Sequence, residues 1–162
     1  MNAKDAIGEV IEMGHFLARH YVEDLADADL LVRPVPGANH IAWQLGHLVA
    51  ATARMLSDLG QPAPPLPDGF ASAYTKETAA LDEASRFATK DQYLAWMDQM
   101  KAASLAAVDA VPESKLDAPG PESMRHYAPT VGSVLLLLGT HWLMHAGQFV
   151  PVRRKLGRPA LF

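Results

Sequence analysis

The sequence contains no cysteine. Disulfides, thiolate-based zinc sites and cysteine nucleophiles supplied by the chain are therefore excluded. Long apolar runs are also missing. The longest, Val134 to Leu138, falls far short of the roughly 20 residues that cross a bilayer. Positive charge is not in excess, because the formal net charge is −4 and the Lys and Arg residues are scattered. Neither nucleic acid nor an acidic membrane surface is an expected partner. There is no Gly-rich phosphate loop and no G-x-S-x-G elbow, so nucleotide and serine-hydrolase chemistries lack their motifs. No segment sustains the period-2 alternation of a half-buried strand.

What is present fits one globular domain spanning residues 1–162, with 49% apolar and 20% charged residues. The first residues, MNAKDAIGEVIEMGHFLARH, place acids among the apolar positions and lack the continuous apolar stretch of a secretory signal. A cytoplasmic location is the expectation. Arg153-Arg154-Lys155 falls at a predicted helix end, where cations complement the helix dipole.

Helical periodicity predicts four long helices. In the first, from about residue 4 to 24, Ile7, Val10, Ile11, Gly14, Leu17, Ala18 and Tyr21 recur at helical spacing. Asn39 is placed to cap a second, from about His40 to Leu59. The Pro-rich stretch 61–69 must be a surface loop, and a short helical piece around Lys76 to Phe87 is expected after it. Thr89 and Gln92 have capping-box spacing ahead of a third helix that stops near Pro112. Thr130 caps a fourth, which runs to about Leu156 with Gly157 as its stop. Pro151 lies inside it and is expected to bend the last turns. The fold class is all-α, a four-helix bundle.

Seven histidines raise the question of function. His141 and His145 stand four residues apart on the fourth helix, roughly 80° and 40° from its apolar line at 100° per residue. Both imidazoles border the buried stripe, and two side chains one turn apart can converge on one ion. An open metal site usually takes a third protein ligand. His47 is the best candidate, because it follows Gly46, which permits close approach of a neighbouring helix, and shares a second face with Trp43, Ala50 and Arg54. His15, His20 and His40 read as surface or supporting residues, and His126 as a solvated loop residue.

The stretch Ala42-Trp43-Gln44-Leu45-Gly46-His47-Leu48 is followed by His141-Trp142-Leu143-Met144-His145-Ala146-Gly147-Gln148. The chain then ends with Leu156-Gly157-Arg158-Pro159 ahead of its last residues. Together these resemble the DinB-like superfamily, metalloenzyme-type four-helix bundles with one histidine on helix two and His-x-x-x-His-x-Gly-Gln on helix four. The likeness covers nearly the whole chain in order and spacing. It implies that His47, His141 and His145 are ligands to a divalent metal ion; imidazole ligands suit zinc or nickel first, with manganese or iron as alternatives. It also implies homodimers and a small-molecule substrate, since relatives include thiol S-transferases and an isomerase that use low-molecular-weight thiols. Pro151 departs from the family's usual residue there. Apolar residues off the main stripes, such as Trp43, Trp96, Leu136 and Leu143, are a second motive for a homodimer.

Three neutral imidazoles leave an ion an open position for water or a thiol. Trp142 occupies the place where a zincin protease carries its general-base Glu, which argues against that class. Glu12-Met13-Gly14-His15 is half of a di-iron pair without its second half. Gln44 and Gln148 lie one turn from the histidines and are candidates to support them or to line a pocket. The expected activity is metal-dependent thiol transfer or hydrolysis. The alternative is a bundle that binds metal or ligand without catalysis.

Overall fold

The computed structural model describes residues 1–161. Among them are four α-helices, α1 (Ala3–Val22), α2 (Ile41–Asp58), α3 (Lys90–Ala110) and α4 (Val131–Lys155). Short 3₁₀ turns occupy the links, and the described residues contain no strand, only an isolated bridge between Pro119 and Thr130. None of the described helices is long and apolar enough to cross a membrane.

Cross-helix contacts give the direction of each helix. The side chain of Lys4 donates to the Asp109 carbonyl and Arg19 pairs with Asp98, so α1 and α3 run antiparallel. Gln44 meets His145 and Thr52 meets Trp142, so α2 and α4 are antiparallel as well. Gly14 lies against Gly139 while Arg153 donates to the Tyr21 carbonyl, which makes α1 and α4 parallel. It follows that α2 and α3 point the same way. Parallel neighbours need a connection as long as a helix, and the chain between Asp58 and Lys90 supplies it.

Local chemistry explains the helix boundaries. Asn2 caps α1 in a capping box with Asp5, and Thr89 does the same for α3 with Gln92. Thr130 caps α4 by accepting from the Ser133 N–H, and Gly157 ends it with a positive φ of 72°. The cap of α2 is His40, whose Nδ1 accepts from the Trp43 N–H at 3.1 Å, rather than Asn39. Pro151 stands inside α4, which nevertheless continues to Lys155. Pro151 and Gly147 are both exposed, so the carbonyl left without an amide donor faces solvent. The stretch expected as one helical piece near 76–87 is instead broken into turns at Lys76–Thr78 and Ala84–Arg86, after another at Ala71–Tyr74.

The core is built around α4. Trp142, Phe149, Leu138 and Val152 are fully buried, and burying each such side chain contributes about 1.5–3 kcal/mol. The α1/α4 contact is set by backbone. A Cβ on Gly139 would lie 2.6 Å from the Val10 carbonyl, and one on Gly14 would lie 2.5 Å from the Gly139 oxygen. Arg153 is also buried rather than a dipole cation at a helix end. Its guanidinium reaches the Tyr21 and Pro159 carbonyls and pairs with Asp24. Of the apolar residues expected off the stripes, Trp43 is buried, Trp96 and Leu143 are half-buried, and Leu136 is exposed.

Two histidines expected at the surface or in a supporting role are buried. His40 donates from Nε2 to the Leu81 carbonyl at 3.0 Å and meets Phe87 edge-on. His15 is 2% exposed because α1 is wedged between α3 and α4, so more than one of its faces is covered. Its ring lies 4.3 Å from that of Trp142, and neither of its nitrogens has a hydrogen-bond partner. Burial, helped by the nearby Lys101 charge, lowers its pKa to about 3. The fold therefore holds the neutral imidazole, whereas the unfolded chain takes up a proton near pH 6.5. Stability should fall as pH drops from about 6.5 toward 3, at up to about 1.4 kcal/mol per pH unit from this one group. Denaturant titrations of the metal-free protein across that range should show a shallower fall for His15→Leu. Equal slopes would contradict this account.

Candidate metal centre

α2 and α4 bring His47, His141 and His145 together. One ring nitrogen from each lies within 4.8 Å of the others, and no other such cluster of three or more His, Asp or Glu occurs among the described residues. The His141 and His145 rings lie 4.9 Å apart, and His47 is 5.2 Å and 5.4 Å from them. The four-residue spacing of the pair follows from the α4 turn, and the antiparallel course of α2 presents His47 to both.

Two of the three rings, those of His145 and His47, are oriented by residues outside the cluster. The Nδ1–H of His145 donates to Gln44 Oε1 at 2.8 Å. The Gln44 amide is itself fixed, because its Nε2 donates to the Asn39 carbonyl at 2.9 Å. This leaves Nε2 of His145 with a free lone pair. His47 stacks on Trp43 at 5.1 Å and 6°, and the Trp43 indole N–H donates to Thr78 Oγ1 at 3.2 Å. Gly46 matters here in a way that differs from expectation. The group that closes on it is the ring of Tyr74, from the link after α2, and any Cβ would sit 2.0 Å from that ring. Tyr74 is held by a 2.7 Å hydroxyl contact with Tyr93 on α3.

Burial keeps the imidazoles neutral. It lowers the His145 pKa to about 3, assisted by His141 and His47, and the His141 pKa to about 4, assisted by His47. His47 is lowered for the same reason, with the Tyr74 backbone acting the other way. The donor set therefore consists of uncharged nitrogens, the form in which histidine ligates a metal. The three residues fit a divalent cation in number, donor type and protonation.

His47 and His141 also line a cavity of about 560 Å³ with Ala50, Ala51, Met55, Leu137 and Met144. Two of the lining residues, Tyr127 and Met144, are 56% and 57% exposed. The other candidates lie elsewhere. Gln148 is exposed and is not among the cavity residues. His20 pairs with Glu23, and His126 is exposed beside Tyr127. The half di-iron motif is split, with Glu12 pairing with Lys101 while His15 is buried. Tyr74 and Asn39 were not foreseen as parts of the site. The one sequence signal for Tyr74 was the missing side chain at Gly46.

Residues 16–149, most of the chain, match the sequence profile of the DinB superfamily. The chain belongs to the DinB superfamily. A crystal structure described as the conserved protein of locus from Enterococcus faecalis shares its fold, with a TM-score of 0.70 at 16% identity. That similarity covers 98% of this chain and 99% of the other. No curated protein matches the chain. As in the DinB pattern, one histidine stands on helix two and two stand on helix four.

The hydrogen bond from His145 to Gln44 makes a tautomer prediction. Long-range proton–nitrogen NMR spectra of the metal-free protein should show His145 protonated at Nδ1, and Gln44→Ala should release it to a mixture of tautomers. A His145 protonated at Nε2 in the unaltered protein would contradict the assignment.

Proposed function

We propose that this DinB-superfamily protein is a divalent-metal-dependent enzyme that transfers a low-molecular-weight thiol to a small electrophile. His47, His141 and His145 would hold the ion. One observation carries this reading: three neutral imidazoles converge, two of them (His47 and His141) line an open cavity, and no fourth protein ligand among the described residues joins the cluster. Structural zinc sites are closed by four protein ligands, whereas catalytic ones keep a position free. An ion held there supplies Lewis acidity that draws down the pKa of a thiol or water placed on its open side.

The lining favours thiol transfer over hydrolysis. Among the described residues no aspartate or glutamate lines the cavity, so the chain offers no carboxylate base to deprotonate water. A thiol starts near pKa 8.5 and needs far less help than water. In such a transfer the thiol gives its proton to solvent and its sulfur bonds to the electrophilic carbon. The leaving group departs with the electron pair of the bond that breaks. Gln44 orients His145, Trp43 holds the plane of His47, and the apolar wall of Ala50, Ala51, Leu137 and Met144 limits water around the reacting groups.

Metal content and turnover test the proposal together. The purified protein incubated with zinc or nickel should retain one ion per chain. His47→Ala, His141→Ala and His145→Ala should each lose it, while His20→Ala retains it. Loss of Gln44 should weaken metal affinity by about 10–100-fold. Conjugation of a thiol to an electrophile should require the metal and vanish in the three histidine variants. Stoichiometric metal in all three variants would overturn the ligand set. Full metal without turnover across several thiols and metals would support a binding protein instead.

A further inference from the structure

Arg54 is the only Lys or Arg among the described residues lining the cavity, and no acidic side chain lines it beside Arg54. It follows His47 by seven residues on α2, so the two share a helix face about 10 Å apart along the axis. Between them the wall is apolar, formed by Ala50, Ala51 and Leu137.

The state of the guanidinium is informative. Arg33, Arg125 and Arg153 use theirs to tie down backbone carbonyls within the fold. Arg54 makes no hydrogen bond among the described residues, and its side chain is 68% exposed. Its nearest acid is Asp58, one turn on, whose carboxylate lies 3.6 Å from Nε, beyond hydrogen-bond distance. That carboxylate also accepts from the Ser123 hydroxyl at 3.1 Å. An exposed pair of this kind contributes little to stability. It does bias Nε toward Asp58 and leaves the two terminal nitrogens, the fork that matches a carboxylate, without partners. Among the described residues Arg54 is the one charged side chain lining the cavity, with Asp58 outside the lining, and the histidine end brings no negative charge to balance an ion.

We infer that the substrate class of this cavity is an elongated small molecule carrying a terminal carboxylate, which Arg54 grips. Its apolar middle lies along Ala50, Ala51 and Leu137, and its reacting group reaches His47, His141 and His145. Placing the reacting end there rests on the metal-site proposal. The carboxylate grip at Arg54 does not. Arg54 is in this sense a specificity-determining residue.

Calorimetric titration of the metal-free and the metal-loaded protein with octanoate and with octanol separates the two claims. Octanoate should bind about tenfold tighter than octanol in both forms, the effect of one charge-assisted contact at a partly exposed site. The preference should weaken with added salt. Arg54→Gln should abolish the preference while leaving octanol affinity and thermal midpoint unchanged, and Arg54→Lys should keep part of it. Equal binding of the two ligands would overturn the inference, as would no binding of either at millimolar concentration. A preference that survives Arg54→Gln, or that appears only with metal, would place the carboxylate at the ion and overturn it too. A preference lost in Arg54→Gln, in a protein that takes up no metal, would support the Arg54 grip and refute the metal reading.

Discussion

The backbone contact between α1 and α4 at Gly14 and Gly139 governs the rest of the structure. No side chain fits between these helices at that level, since a Cβ on either glycine would meet backbone atoms within 2.6 Å. The close approach seats Trp142 beside Gly14 and under the His15 ring, and the Trp142 indole N–H reaches across to Thr52 on α2. These contacts fix the rotation of α4 about its axis. With Trp142 turned into the core, His145 and His141 are carried around the same helix toward α2, where His47 waits. A rotation of even half a residue step would separate the imidazoles, so packing near α1 determines geometry at a site on the opposite side of α4.

Burying three imidazoles is unfavourable unless their polar atoms are satisfied. The structure satisfies one side of His145 through Gln44 and Asn39 and covers His47 with the Trp43 ring, while one nitrogen of each of the three rings lies within 4.8 Å of the others. Burial is the main reason His141 and His145 titrate so low, and repulsion from neighbouring rings of the cluster adds to it. Such a cluster stores no obvious stability of its own. A cation is the partner that would accept its lone pairs.

Much of this was legible in residue spacing. Caps at Thr89, Thr130 and Gly157 and the apolar periods located α1, α3 and α4 to within a few residues. The four-residue step from His141 to His145 placed both on one face, and the small residue at position 46 marked a close approach beside His47. What approaches was not legible. Tyr74 belongs to a link of short 3₁₀ turns that carries no period, and its position follows from the parallel course of α2 and α3. The burial of His15 and His40 was missed for a related reason. A helix covered on several sides hides residues that lie off its main stripe, and a histidine can serve as its own helix cap, as His40 does through Nδ1.

On the reading proposed above, the cluster is a metal shell of three neutral imidazoles with one position open. X-ray absorption spectroscopy of the zinc-loaded protein in solution tests it most directly. The spectrum should show a single type of site with three imidazole nitrogens at about 2.0–2.1 Å and one further light atom that exchanges with added ligand. A shell with fewer than three imidazoles, or one dominated by carboxylate oxygens, would contradict it.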